Sequence, residues 1–509
     1  MPSIKWIVVI SAVLIVMLIA FVNYIGIETS NNKKDGDKNL DYKLAQKGST
    51  TYIDTPYVRE YSLPHGTWPN AILVGRNGMV WTAGSISHTL ISFDPKQEQI
   101  KSSYQIKDAN AIENDVSKQV SLMSWTMVED NDGMIWFSQF GPEPLWRFDP
   151  NTAKFNVFHS ISKAPFQMKV DQETGDIWFT TLLGNTLGVI EKIEDKSGTG
   201  PEYKITEFST GNDTYPSGLF LEKDGVWITE ISKNKLEKFT ISYNGGLVTN
   251  AVKMLEVPSG DKILLSSPTD ILDSGNSTIW LTEHGGSFIT KYLVDSQNMK
   301  RFPTSQIQYH ATTLPFWIKG KKDYGGFWLN EHTGNRIAFF NTTENSLTEY
   351  EIPTRPSDGY VVYPLNIAID PNDSNKIWFS EWNVDKIGMI DRSIPIPFNI
   401  HTPVDKVVLS KGQQATIDVE IAKNLNQPKK SHNVIFLNAS SSMEAAAGFV
   451  NMTADFSANV VDLTKINETE QIHFVLRNYS AQPANYTLNI SATDGTVTRS
   501  IFLDLIVDR

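Results

Sequence analysis

Seven tryptophans, at positions 81, 136, 178, 227, 280, 328 and 378, recur every forty to fifty-five residues. A period of that length marks one supersecondary unit stacked many times. The internal frame is tighter than the spacing. Nine residues after each tryptophan stands Leu90, Leu145, Leu187, Leu236, Ile289, Ile337 or Ile387, and three further on comes Phe93, Phe148, Ile190, Phe239, Tyr292, Phe340 or Ile390. About ten residues before each tryptophan lies a short apolar run headed by Pro69, Pro165, Pro216, Pro268, Pro315 or Pro364, with Ser124 in the second copy. These runs read as first, second (tryptophan) and third strands, and YKITEFST at 203–210 or LTEYEIP at 347–353 as a fourth. Alternating apolar and polar residues, punctuated by Gly, Asn and Asp turns, exclude helices as the basis of the repeat. Four-stranded antiparallel units repeated about an axis make a β-propeller.

The seventh copy has its third strand (DKIGMID) but no fourth, whereas YVREYSLP at 57–64 precedes the first copy and matches the missing one. A seven-bladed propeller over residues 51–398 is therefore expected, closed by its N-terminal strand so that no sheet edge stays open. Beyond the junction SIPIPFNIHTP, residues 402–509 carry no tryptophan and a different rhythm of short alternating strands, such as ATIDVEI and QIHFVL. That pattern predicts an immunoglobulin-like β-sandwich. The fold class expected is all-β, with one transmembrane helix at the start.

That helix rests on residues 7–25, nineteen residues without a charge, which as a helix span roughly 28 Å against a hydrocarbon core of about 30 Å. No small-x-small cleavage pattern follows, so residues 1–27 read as an uncleaved signal anchor and the polar 28–50 as a flexible stalk. Asn-x-Ser/Thr sequons stand at Asn212, Asn276, Asn341, Asn372, Asn438, Asn451, Asn467, Asn478, Asn485 and Asn489, crowded toward the C-terminus. They favour an extracellular, glycosylated location for the body of a single-pass membrane protein. A net charge of −12 argues against nucleic acid as a partner. The absence of cysteine excludes thiolate chemistry and disulfides.

Because successive strands are antiparallel, the turn after the second strand and the link after the fourth emerge on one face, the upper face. The third residue after the tryptophan is Glu230, Glu283, Glu331 or Glu381 in the last four copies, and His284 and His332 follow two of these. His65, His88 and His310 belong to the same face. Carboxylates from consecutive blades suit a hard cation, Mg²⁺ or Ca²⁺, with His284, His310 or His332 as a base. The plainer reading is that a repeated polar residue ends each strand and bonds its neighbours. In a continuing strand Glu283 and His284 point to opposite sides, so a cross-blade pair such as Glu283 with His332 is the arrangement to look for. Trp68, Trp125, Trp317, Tyr363 and Trp382 either rim a ligand site or pack the core.

The motif visible in KIWFSEWNVDKIGMID at 376–391 and GVWITEISKNKLEKF at 225–239 resembles that of the streptogramin B (virginiamycin B) lyases over roughly residues 57–392. The resemblance implies a seven-bladed propeller and a magnesium-dependent elimination that opens a cyclic depsipeptide ester. It also implies a histidine directly after the first-strand proline in two neighbouring blades, and a glutamate at the end of the tryptophan strand on the metal. The glutamates match at Glu230, Glu283, Glu331 and Glu381. After the prolines, however, stand Asn70, Phe166, Ser217, Thr269, Phe316 and Leu365, none of them a base at neutral pH. Two functions follow. One is a surface propeller that takes a small-molecule, peptide-like or cell-surface protein partner on its upper face. The other is a metal-dependent lyase in which His284, His310 or His332 replaces the family histidines; a gluconolactonase-like propeller fits the repeat less well.

Overall fold

A computed structural model describes residues 51–106, 123–141, 144–194, 201–223, 225–259, 265–273, 277–306, 312–320, 324–355, 361–426 and 432–508. The predicted membrane anchor and stalk lie outside these residues, as does His310. Among the described residues no helix is long and apolar enough to cross a membrane, and the chain is almost entirely strand.

Each tryptophan frame forms four antiparallel strands in the order first, second, third, fourth, a separate sheet in every repeat but the sixth. In the fourth repeat the strands are Pro216–Glu222, Gly225–Glu230, Lys235–Asn244 and Leu247–Val257. In the seventh, Pro364–Ile369, Lys376–Glu381 and Lys386–Asp391 are joined by Val58–Ser62, the strand that the sequence sent there. The chain divides into two compact units, one of residues 61–271 and 380–387, the other of 48–60, 272–379 and 388–509.

Side-chain alternation explains the tryptophan strand. Trp178, Trp227, Trp280 and Trp328 are all buried against apolar residues. The residue two further on turns the same way and is a hydroxyl or an amide. In the first unit Thr180 Oγ1 donates to Ser217 O at 2.5 Å and Thr229 Oγ1 to Thr269 O at 3.0 Å, each the carbonyl just after the next repeat's proline. In the second unit Thr282 does the same to Phe316 O, and Asn330 Nδ2 reaches Pro364 O at 2.5 Å. The first strands are bulged at this point, between Pro216 and Leu219 and between Pro315 and Ile318, which frees the carbonyls to be bonded.

The upper turn is built by one recurring residue, seven after the tryptophan. His88, Asn185, Asn234, Asn335 and Asp385 all take a left-handed φ between 51° and 57°, a conformation that Asn, Asp and His tolerate better than most residues. Their backbone carbonyls accept the N–H that ends the fourth strand: Ile106 to His88, Thr210 to Asn185, Ile352 to Asn335 and Leu63 to Asp385. The side-chain oxygens of the Asn and Asp residues then hold the link to the next repeat. Asn185 Oδ1 takes the N–H of Thr214 and Tyr215, Asn234 Oδ1 that of Ser267, and Asn335 Oδ1 that of Val362. Asp385 uses both oxygens, on Gly66 and Trp68 at 2.8 and 2.7 Å. Turn and link thus share one face, as the antiparallel order requires.

Glycine in the family motif has a packing reason. A Cβ on Gly188 would stand 2.1 Å from Phe179 Cζ, and one on Gly388 2.0 Å from Phe379 Cζ. In these two repeats the third strand leaves room for the ring of the phenylalanine after the tryptophan, whereas in the second repeat Phe137 stacks on Trp146 instead.

The C-terminal part forms two sheets. It begins with Phe398–His401, and its last strand, Val497–Val507, pairs with Ser346–Glu351, the outer strand of the sixth repeat, so that one sheet runs through both. The edge that the sixth repeat would expose is thereby covered. Phe502 packs at 5.2 Å from Phe302, and Asn489 Nδ2 donates to Pro303 O at 2.7 Å. This contact also corrects the reading of two sequons: Asn489 and Asn478 are buried and hydrogen-bonded, whereas Asn438, Asn451, Asn467 and Asn485 are exposed.

Candidate functional site

The four glutamates end their strands as the frame predicts, and Glu230, Glu283 and Glu331 each turn toward a residue of their own sheet. In the fifth repeat the Glu283 carboxylate meets Arg301 in a two-pronged pair, Nε to Oε1 at 2.7 Å and Nη2 to Oε2 at 2.6 Å, and also accepts the Thr290 hydroxyl. The cross-blade pair of Glu283 with His332 is not formed. Arg301 sits on the fourth strand opposite Thr290. The same position in the sixth repeat, opposite Ala338, is Glu349, and in the fourth, opposite Glu237, it is Glu256. One position therefore decides whether the buried acid has a cation in front of it or a second acid.

Glu331 illustrates the second case. It is fully buried, neither carboxyl oxygen has a hydrogen-bond donor, and a Cβ on Gly334 would stand 2.4 Å from its Oε2. Burial, then the Glu349 charge, push its pKa well up, with Arg336 acting in the opposite sense. Glu349 is itself held by Ser305, whose N–H donates at 2.9 Å and whose hydroxyl bonds the other oxygen. Glu207 in the third repeat is held likewise by Ser162, at 2.8 and 2.7 Å. Glu381 is buried at the end of its strand in the seventh repeat. Among the described residues no group of three or more His, Asp or Glu side chains is placed to hold a metal ion.

The histidines behave differently. His284 and His332 do come together, with ring centroids 5.2 Å apart, and both pack on Phe316, at 4.8 and 4.3 Å, so that the three rings form a triangle. Phe316 follows the first-strand proline Pro315, the place where the lyase pattern has its histidine. Alternation accounts for this: His284 lies two beyond Thr282 and faces the same neighbouring strand. Desolvation lowers the His284 pKa to about 4 against the pull of the Pro315 and Leu314 carbonyls, and desolvation followed by His284 lowers that of His332 well below its usual value. Both rings are neutral at neutral pH. His284 Nδ1 and His332 Nε2 are enclosed without a hydrogen-bond partner. His65 is exposed and pairs with Asp385 at 3.4 Å, and His88 forms its repeat's left-handed turn. Of the aromatic residues, Trp125, Trp317 and Trp382 are buried, and Trp68 packs edge-on to Trp382 at 4.6 Å, so they fill the core.

The sequence reading missed the fourth-repeat cavity, of about 490 Å³, between the link 210–214, the turn 232–235 and the outer strand. Glu230 and Glu237 line it and are almost completely buried. Lys253 Nζ bonds Glu237 and Lys235 Nζ bonds Glu256. Burial, then Glu237, raise the Glu230 pKa to about 9. The signal was present in NKLEKF, where Glu237 occupies the position of the motif glycine seen in DKIGMID.

Repeated four-stranded antiparallel sheets joined through bulged first strands define a β-propeller. The virginiamycin B lyase family matches residues 125–405, more than half of the chain, and the chain belongs to that family. No curated protein sequence matches it. Among solved structures it is similar to virginiamycin B lyase from Staphylococcus aureus, with 22% identity over 66% of this chain and 98% of that one and a TM-score of 0.49. A catalytically inactive variant of that enzyme with quinupristin shows the same 22% identity, covering 66% and 98% of the two chains at a TM-score of 0.48. The extracellular domain of a hybrid two-component system from B. thetaiotaomicron is 12% identical over 90% of this chain and 60% of that one, with a TM-score of 0.45.

Proposed function

We propose that this family member is a ligand-binding propeller and not a metal-dependent lyase. The observation that carries the reading is the two-pronged pair of Glu283 with Arg301, which leaves that carboxylate no free oxygen for a cation. The substitution of Phe316 at the family's histidine position supports it. The seven sheets are read as seven blades, with Val58–Ser62 closing the last. On this reading residues 7–25 anchor the chain in a membrane with the propeller outside, a reading supported by the sequons of the C-terminal part.

The neutral pair His284 and His332 beside Phe316 is the feature that favours the lyase alternative, since an uncharged imidazole is competent to take a proton. Incubation of the full chain with quinupristin and Mg²⁺, followed by mass spectrometry, separates the two. The binding reading predicts intact quinupristin, and a ring-opened product that disappears in His284→Ala would overturn it.

A further inference from the structure

Asn-Gly is the dipeptide in which an asparagine most readily loses its amide, because the glycine, lacking a side chain, brings its nitrogen against the asparagine side-chain carbonyl without crowding. It occurs twice in the sequence, at Asn77–Gly78 and Asn244–Gly245. Both asparagines are exposed to solvent, but their surroundings differ. Asn77 lies in the turn between the first two strands of the first repeat, Pro69–Val74 and Val80–Gly84. There Gly75 N donates to Met79 O at 2.9 Å and Gly78 N to Gly75 O at 2.8 Å. Asn77 Oδ1 accepts Met79 N at 3.0 Å, and the neighbouring Arg76 N donates to Glu129 Oε2 at 2.7 Å. The nitrogen that would attack and the side chain that would be attacked are both engaged.

Asn244 ends the third strand of the fourth repeat and pairs with Leu247 across a turn of Gly245 and Gly246, whose φ angles are 60° and 83°. Left-handed φ at both central residues is the tight hairpin turn that glycine makes without strain. Among the described residues neither the Asn244 side chain nor the Gly245 N–H has a hydrogen bond. A Cβ on either glycine would meet nothing within 4 Å. The last anchor of the hairpin is Val248, whose N–H donates to buried Glu191 and whose carbonyl accepts Lys204 Nζ at 3.0 Å. Beyond it the tip is held by the pair of Asn244 with Leu247, and a terminal pair of this kind opens at little cost.

We infer that Asn244 is a site of spontaneous deamidation in the folded protein, and that Asn77, with the same dipeptide and also exposed, is protected by its turn. In the opened tip Gly245 N gives up its proton and bonds to Asn244 Cγ, and the side-chain nitrogen leaves as ammonia, which closes a succinimide. Water then opens the ring at either carbonyl. One opening leaves aspartate; the other leaves isoaspartate, with the main chain running through the former side chain. Either product puts a new carboxylate beside Tyr243, whose phenol already stands within electrostatic reach of Asp171, Asp176 and Glu191. Isoaspartate also lengthens the main chain by a methylene at the last hairpin pair, so Asn244 and Leu247 lose their register. This modification is independent of what the propeller binds.

The full chain is incubated in warm, mildly alkaline buffer made with heavy-oxygen water, once folded and once in urea, and the peptides carrying Asn77 and Asn244 are followed by mass spectrometry. In the folded chain Asn244 is expected to lose its amide at least about tenfold faster than Asn77, whose reaction must first break the additional hydrogen bonds of its turn. In urea the shared dipeptide is what remains, and the two rates should agree within about threefold. Heavy oxygen should enter the Asn244 peptide, and an isoaspartyl methyltransferase should label it. Asn244→Gln, which would have to close a larger ring, should remove both signals from that peptide and leave Asn77 as it was. Equal rates in the folded chain, an intact Asn244 in the folded chain while both sites react in urea, or a rate ratio undiminished by urea would overturn the proposal.

Discussion

The fourth and fifth repeats end their tryptophan strands on the same residue and treat it in opposite ways. Glu283 faces Arg301 across the sheet and is neutralised on the spot. Glu230 finds Glu256 at the position of Arg301 and Glu237 at that of Thr290, and it keeps a proton instead. Conserving a motif letter within one chain therefore does not conserve its charge state. The partner two strands away in the sheet, unremarkable in sequence, decides whether the glutamate is a structural anion or an acid beside a cavity.

The largest expected effect comes from removing the fifth-repeat cation. Arg301→Met removes both guanidinium bonds from buried Glu283 and should lower stability by about 3–5 kcal/mol in urea unfolding. Adding Glu283→Gln should recover most of that loss; a neutral single variant would show that the pair contributes little. In the sixth repeat, Ser305→Ala removes the hydroxyl from buried Glu349 and should cost about 1–3 kcal/mol, with the backbone N–H still in place. The fourth repeat has a pH signature of its own. Because the folded-state pKa of Glu230 lies above the ordinary 4.5, wild-type stability falls as pH rises from 4.5 toward about 9. Glu230→Gln lacks that loss, so its advantage in unfolding midpoint over wild type should grow across the window, on the order of 1–3 kcal/mol at its upper end. A constant difference would contradict the assigned proton.

The smallest effect separates sequons by burial. Glycan mapping of protein from its native source should find sugar among Asn438, Asn451, Asn467 and Asn485 and none on Asn478 or Asn489. Sugar on Asn489 would contradict its bond to Pro303.

The tryptophan frame made the strands and their order legible, because the apolar period and the turn residues are local properties. The left-handed residue seven after each tryptophan was legible in principle too, since His, Asn and Asp stand there in copy after copy. The direction of the glutamates was not, because it depends on a fourth-strand residue whose register no local pattern fixes. Arg301 and Glu349 look equally ordinary in RFP and LTEYEIP. The pairing of Val497–Val507 with Ser346–Glu351 joins residues about a hundred and fifty positions apart in the chain, and alternation alone cannot choose which edge a strand will cover. The meeting of His284 with His332 followed from alternation once Phe316 was placed against both.

The central claim is that the glutamates serve their own repeats and not a common metal. Calorimetric titration of the full chain with Mg²⁺, in wild type and in Glu283→Gln/Glu331→Gln, tests it most directly, with thermal unfolding confirming that both are folded. The account predicts the same weak or absent heat from both proteins. Saturable Mg²⁺ binding by wild type that is lost in the variant would contradict it.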